Sequence, residues 1–247
     1  MMSALAQTSR VALVTGGTRG IGAAVSRALH AAGHRVVASY GSNVAEARAF
    51  ETATGIRTMA FDAAAFEACA EAMERIAGAE GPVTILVNNA GITRDSTVGR
   101  MTRAAWDAVI DTNLGAAFNL CRLAMPVMRA EGFGRIVNMA SINGQTGQFG
   151  QANYAASKAG LQGLTRALAL EGARHNITVN TIAPGYIDTA MLETVPPQIM
   201  ADIVARIPVG RLGTPDEVAR AVTFLTAEDA GFITGSTLSI NGGQHMP

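Results

Sequence analysis

Charge is sparse in this sequence, and what there is cancels: 19 lysines and arginines stand against 19 aspartates and glutamates in 247 residues. No basic stripe is present, so a nucleic-acid partner held by phosphate neutralisation is not expected. Long hydrophobic runs are missing too, since no uninterrupted apolar stretch approaches the ~20 residues of a membrane span. Residues 1–10 hold no apolar segment of the signal-peptide kind, so the expectation is a cytoplasmic protein with no membrane partner. Cysteine is almost absent. Cys69 and Cys121 fall in separate apolar helical segments without metal-ligand spacing, which predicts buried free thiols. His30, His34, His175 and His245 are scattered, so neither a zinc site nor a histidine-centred triad is foreseen, and no metal is expected. No Pro/Ser-rich or charged linker divides the chain, which suits one α/β domain over residues 1–247.

What is there is a regular alternation. Short β-branched runs near 11–15, 35–39, 56–60, 82–87, 133–140, 176–182 and 237–240 are separated by alanine-rich helical segments. That pattern predicts a single doubly wound parallel sheet with helices on both faces. Two long helical stretches, about 102–130 and 153–174, are apolar over more than one face, which means burial in the fold or against another subunit. Between Thr189 and Pro208 the alternation breaks, with Met191, Leu192, Pro196-Pro197, Ile199 and Met200 where a tight connection would serve. A long apolar insertion beside a strand end reads as a substrate lid over 189–208. The tail from Gly231 reads as a turn and a final buried strand, ended by Gly242-Gly243.

The first strand runs into Thr15-Gly16-Gly17-Thr18-Arg19-Gly20-Ile21-Gly22. Glycines there remove Cβ atoms where a pyrophosphate must approach, and the following helix start offers unpaired N–H groups. The Gly-x-x-x-Gly-x-Gly spacing predicts a turn slightly longer than that of Gly-x-Gly-x-x-Gly. The second strand ends Ser39-Tyr40 without the acid that would bind a ribose diol, and Arg19, Ser39 and Ser42 can meet a 2′-phosphate instead. The expected cofactor is NADPH. Asp62, after the third strand, can accept from an adenine amino group, and Asn88-Asn89-Ala90-Gly91 closes the fourth strand with small residues and amides beside a flat ring.

The stretch from Ser141 to Lys158 gathers a hydroxyl, a phenol and an ammonium. Tyr154 and Lys158 are four apart, one turn along a helix, with Cβ atoms about 5–6 Å from each other. Bringing a phenol from its ordinary pKa to neutrality takes roughly 4 kcal/mol, and a nearby cation in a water-poor site is expected to supply much of it. Such a phenol serves as a general acid beside a developing alkoxide.

With the glycine loop, Asn-Asn-Ala-Gly, Asn113, Ser141 and Tyr154-x-x-x-Lys158 in chain order, the sequence resembles the short-chain dehydrogenase/reductase family over residues 9–247, which implies a Rossmann fold. The resemblance implies that Tyr154 donates the proton in carbonyl reduction and Ser141 hydrogen-bonds the carbonyl oxygen. It implies that Lys158 binds the nicotinamide ribose and lowers the tyrosine pKa, and that Asn113 holds a water in the proton relay. Pro184, Gly185 and Ile187 to Thr189 match the segment that contacts the nicotinamide. Asn-Ala-Gly-Ile-Thr-Arg-Asp95, Asn143 through Gln148, Phe149 and Gln151, Pro184-Gly-Tyr186 and Asn241 through Met246 are similar to the members that reduce acetoacetyl-CoA. By that likeness Asp95, Gln148, Phe149, Gln151 and Tyr186, with Ser141, line an acyl and pantetheine site. The implied substrate is a short 3-oxoacyl-CoA, the product the (R)-3-hydroxyacyl-CoA, and the assembly a homotetramer. The rival expectation is reduction of a 3-oxoacyl-acyl-carrier protein. An acidic carrier calls for a basic entrance, whereas residues 129–135 include Glu131 and glycines, leaving Arg174 as a possible contact.

Overall fold

Seven parallel strands form one sheet, and alternate side chains along each inner strand serve different faces. The computed structural model describes residues 9–192 and 195–246. The strands are Val11–Val14 (β1), Arg35–Tyr40 (β2), Arg57–Ala60 (β3), Val83–Asn88 (β4), Gly134–Met139 (β5), Ile177–Pro184 (β6) and Thr237–Ile240 (β7). They lie in the order β3-β2-β1-β4-β5-β6-β7, each starting or ending within two residues of its expected bounds.

The helices are Gly20–Ala31 (α1), Val44–Thr54 (α2), Phe66–Glu80 (α3), Arg103–Ile110 (α4), Ala116–Glu131 (α5), Asn143–Thr146 (α6), Ala152–Gly172 (α7), Pro197–Ala205 (α8) and Pro215–Thr226 (α9). In β1, Ala12 and Val14 pack with apolar residues of α1 and α9. Val11 and Leu13 pack instead with those of α3 and α5. This two-residue period puts helices on both faces and explains why β1, β4, β5 and β6 are buried throughout.

Two expectations are corrected. The stretch 102–130 is not one continuous α-helix: a π turn, Asp111–Gly115, joins α4 to α5. The last strand is not buried. β7 is a sheet edge, where only one neighbour can cover it, and Leu238 keeps 38% of its surface.

Polar side chains fix the register where the site is built. Asn88 and Asn138 are paired across β4 and β5, and Asn88 Nδ2 donates to Asn138 Oδ1 at 2.8 Å. Asn138 Nδ2 then donates to Thr165 Oγ1 at 2.8 Å, which docks α7 on the sheet. Buried amides without partners are costly, so this chain of bonds admits few alternative seatings of α7.

Candidate active site

The sheet order reverses between β1 and β4, so the loops after those strands diverge and leave a crevice at the carboxyl edge. The glycine loop lies there. Gly16 and Gly20 have φ of +59° and +50°, conformations that favour glycine. A Cβ on Gly22 would lie 2.1 Å from the Gly16 carbonyl oxygen. No side chain caps α1 and its first turn carries no acid, so the N–H groups around Ile21 and Gly22 remain for an anion. These features fit a nucleotide pyrophosphate.

Thr15 pins the loop to the end of β4. Its Oγ1 accepts from the N–H groups of Asn89 and Ala90, each at 2.9 Å. Asn89 Nδ2 donates back to the carbonyls of Thr15 and Gly16 at 2.9 and 3.2 Å. The Asn89 amide is therefore a clamp on the loop, and the expected room beside a flat ring comes from Ala90 and Gly91. The role of Thr15 was missed in the sequence. Its signal was a β-branched hydroxyl at the last position before the glycines.

Around the adenosine end, Arg19 and Ser42 are exposed and Tyr40 is half-buried, whereas Ser39 is buried within β2. Arg19, Tyr40 and Ser42 thus reach the surface at the glycine loop and the end of β2. Thr18 is buried inside the loop. Asp62 Oδ1 accepts the Ala64 N–H at 3.0 Å, so the carboxylate turns the chain as well as facing outward. On the far wall, Thr189 approaches Gly20, whose Cβ would be 3.6 Å from the threonine methyl. Pro184 ends β6, and Gly185 lies against Asn241, which leaves 2.9 Å to a Cβ. Ile187 is packed into the core, so its main chain rather than its side chain borders the crevice.

Tyr154 and Lys158 occupy consecutive turns of α7. Lys158 is fully buried and its Nζ donates to the Met139 carbonyl at 2.7 Å. It lies 5.5 Å from the centre of the Tyr154 ring. Burial pushes its pKa down to about 8, so it is mostly charged at neutral pH. A Cβ on Gly91 would sit 3.4 Å from that nitrogen, so the last glycine of Asn-Asn-Ala-Gly is what admits it. Lys158 is also the only lysine in the sequence, every other cationic side chain of this kind being arginine. Arginine cannot release a proton near neutrality, and that contrast was a signal the pattern reading overlooked.

The expected lowering of the phenol is not what the protein does by itself. Tyr154 is raised above the ordinary tyrosine value, first by burial, with the Asp95 carboxylate pushing the same way and the hydrogen bond from Ser141 opposing both. Burial is the largest of the three effects, and the Lys158 ammonium gives its hydrogen bond to the Met139 carbonyl.

Asn113 sits in the π turn with both ends of its amide engaged. Its Oδ1 accepts the Ile92 N–H at 2.8 Å, and its Nδ2 donates to the Ile92 carbonyl and to Ser157 Oγ, both at 3.1 Å. Ser157 in turn donates to the Tyr154 carbonyl at 2.8 Å. Fully buried Asn153 accepts the Tyr154 N–H and donates to the carbonyls of Arg94 and Ala105. Asn153 and Ser157, neither singled out from sequence, hold the start of α7 against the loop after β4.

On the acyl side, Ser141 is buried at the end of β5 and Gln151 Nε2 donates to Asp95 Oδ2 at 2.8 Å. The Ser96 N–H donates to the Gly150 carbonyl at 2.8 Å, which zips the two loops together. Gln148 is exposed on the same loop, and Phe149 keeps 89% of its surface. Tyr186 is half-buried and lines a cavity of about 230 Å³ with Ile207, Val209, Arg211 and Asn241.

The basic-entrance argument does not survive either. Residues 129–133 and Arg174 precede β5 and β6, at the edge of the sheet opposite the site, and Arg135, within β5, is wholly buried. Among the described residues no cluster of His, Cys, Asp or Glu could hold a metal ion, and no helix is long and apolar enough to cross a membrane.

A family model described as enoyl-(acyl carrier protein) reductase matches residues 16–245. The acetoacetyl-CoA reductase of Rhizobium meliloti (strain 1021) is 56% identical over 239 residues, 96% of this chain and 99% of that protein. The acetoacetyl-CoA reductase of Shinella zoogloeoides is 55% identical over 237 residues, 96% of this chain and 98% of its own. The 3-oxoacyl-acyl-carrier-protein reductase of Escherichia coli (strain K12) is 43% identical over 241 residues, with coverages of 96% and 98%.

Proposed function

This chain belongs to the short-chain dehydrogenase/reductase family, a nicotinamide-dependent oxidoreductase acting on a small molecule, and on that premise we propose that it reduces acetoacetyl-CoA to the (R)-3-hydroxyacyl-CoA with NADPH. The observation that carries the reading is the convergence of Ser141 and Tyr154, whose hydroxyls are hydrogen-bonded to each other beside the buried ammonium of Lys158. Once a substrate is bound, the two hydroxyls can turn their hydrogens to one oxygen on which negative charge develops, which is a carbonyl under reduction rather than a carbon–carbon double bond. The names of the relatives above 50% identity support the CoA thioester over the carrier-linked one.

The glycine loop and the α1 N-terminus would hold the pyrophosphate, Arg19 and Ser42 the 2′-phosphate, and Lys158 the nicotinamide ribose. Bound there, NADPH supplies the hydride that reaches C3. Tyr154, raised above its ordinary pKa, is fully protonated at neutral pH and so always carries the proton it gives to the oxygen. The hydrogen bond from Ser141 steadies the phenolate left behind. Lys158 adds its charge across 5.5 Å and, with a pKa of about 8, can return a proton at modest cost.

Two further parts of the reading follow. No residue of α8 is buried, whereas Ile207 just beyond it is, which makes α8 a lid pivoting on an anchored end. Phe118 on α5 and Leu170 on α7 keep 52% and 84% of their surface exposed, apolar area of the kind a homotetramer would cover. Steady-state rates with NADPH and NADH, on acetoacetyl-CoA and acetoacetyl-carrier protein side by side, test the substrate and cofactor. A carrier-linked preference, or equal rates with NADH, would remove the corresponding part. Tyr154→Phe is expected to abolish turnover while NADPH still binds, and light scattering reads the assembly.

A further inference from the structure

Four hydrogen bonds run from a surface carboxylate to the reacting hydroxyls, and the residue at their centre has been given no role so far. Gln151 Nε2 donates to Asp95 Oδ2 at 2.8 Å. Gln151 Oε1 accepts from Asn143 Nδ2 at 2.9 Å. The main-chain N–H of Asn143 donates to Ser141 Oγ at 3.2 Å, and Ser141 is in turn hydrogen-bonded to Tyr154. Asn143 opens α6, which is pressed onto α7 at the catalytic lysine: a Cβ on Gly144 would lie 2.8 Å from the Lys158 backbone carbon. Its place relative to Lys158 is therefore fixed by backbone packing.

We propose that Asn143 is a positioning residue that, with Asp95, sets the donor direction of the whole acyl site. A carboxylate only accepts, so Gln151 must turn its NH₂ to Asp95 and its oxygen to Asn143, and Asn143 must then present its own NH₂. Amide orientation is usually open to either choice. Here reversing Gln151 would place oxygen against the carboxylate and NH₂ against NH₂, and reversing Asn143 would place oxygen against oxygen.

The same direction holds at the other end, where the Asn143 N–H occupies a lone pair of Ser141 and leaves its hydrogen to point at Tyr154. The remaining hydrogens on Gln151 Nε2 and Asn143 Nδ2 make the surroundings of Ser141 a field of donors. A 3-oxoacyl thioester carries two carbonyl oxygens, both acceptors. The ketone oxygen takes the Tyr154 hydrogen and, as it arrives, the Ser141 hydrogen that had pointed at Tyr154, and the thioester oxygen meets the amide hydrogens held by Asn143. This rests on the acetoacetyl-CoA reading and adds the residue that orients its second carbonyl.

The test is a double-mutant cycle on the full-length enzyme. Asn143→Ala and Gln151→Ala are each expected to lower kcat/KM for acetoacetyl-CoA by about 10- to 100-fold, as loss of an orienting hydrogen bond in an active site does. The double variant is expected to be no worse than the weaker single, and NADPH affinity and melting temperature should stay near wild type. Asp95→Asn, which frees both amides to turn over, is expected to reproduce most of the loss. Activity of Asn143→Ala within twofold of wild type would overturn the proposal, as would losses that multiply in the double variant. A matching drop in NADPH affinity would also overturn it, since that would mark a collapsed loop. If wild type does not reduce acetoacetyl-CoA, the functional reading fails by itself. The network is then judged by side-chain amide NMR: the signals of Asn143 and Gln151 must be protected from exchange in wild type and lose protection in Asp95→Asn.

Discussion

Lys158 shows how much one side chain can be asked to do. It is buried without a carboxylate, and its hydrogen bond goes to a neutral carbonyl, so the fold holds an amine that is easy to deprotonate. Being the only lysine, it can be observed alone. Lysine-selective NMR labelling is expected to give one side-chain signal titrating near 8. The sign of its effect on stability follows. The native pKa of about 8 lies below the ordinary 10.5, so between those values the unfolded chain binds more protons, and stability rises with pH. Relative to Lys158→Met, wild type should gain up to about 3 kcal/mol across that window, read by urea unfolding at fixed pH steps. Gly22 makes a second case. A methyl group there would meet the Gly16 carbonyl oxygen at 2.1 Å. Gly22→Ala should keep the helix and lose NADPH affinity by at least about tenfold, seen by titration of cofactor fluorescence.

At the scale of elements, the strands and most helices were legible because burial on two faces imposes a strong signal: β-branched runs between alanine-rich spans. The π turn was not legible. Asp111-Thr-Asn-Leu-Gly115 has nothing locally that distinguishes it from α-helix. What widens the helix is a tertiary demand, since Asn113 must reach both polar groups of Ile92 across the crevice while touching Ser157. Asn113→Ala would leave those partners unsatisfied and should cost about 2–4 kcal/mol in urea unfolding. The misplaced expectations for β7 and residues 129–135 have a common cause. Sequence gives the order of strands along the chain, but not which of them ends at an edge or which end of a strand faces the site.

For the molecule as a whole, Arg135 is the tie between the middle of the chain and its last quarter. It is wholly buried in β5 and donates to the carbonyls of Gly134, Asn176, Ala227 and Glu228. The Phe133 ring lies between its guanidinium and that of Arg10, at 4.2 and 3.9 Å. Replacing a charge by a thioether of similar length removes all four donors at once. Arg135→Met is expected to destabilise the subunit by about 3–5 kcal/mol, with the loss visible in the melting temperature before any change in KM.

Taken alone, the sequence determined the parallel α/β architecture, the glycine loop and the Ser141, Tyr154 and Lys158 set. Each of those is written in local spacing, periodicity or residue chemistry. Only the folded chain decided that burial raises the tyrosine instead of the lysine lowering it, that Asn89 and Thr15 clamp the loop, and that Asn143 joins Asp95 to Ser141. Those are matters of which groups desolvate and hydrogen-bond one another across distant segments, and no spacing along a chain encodes them.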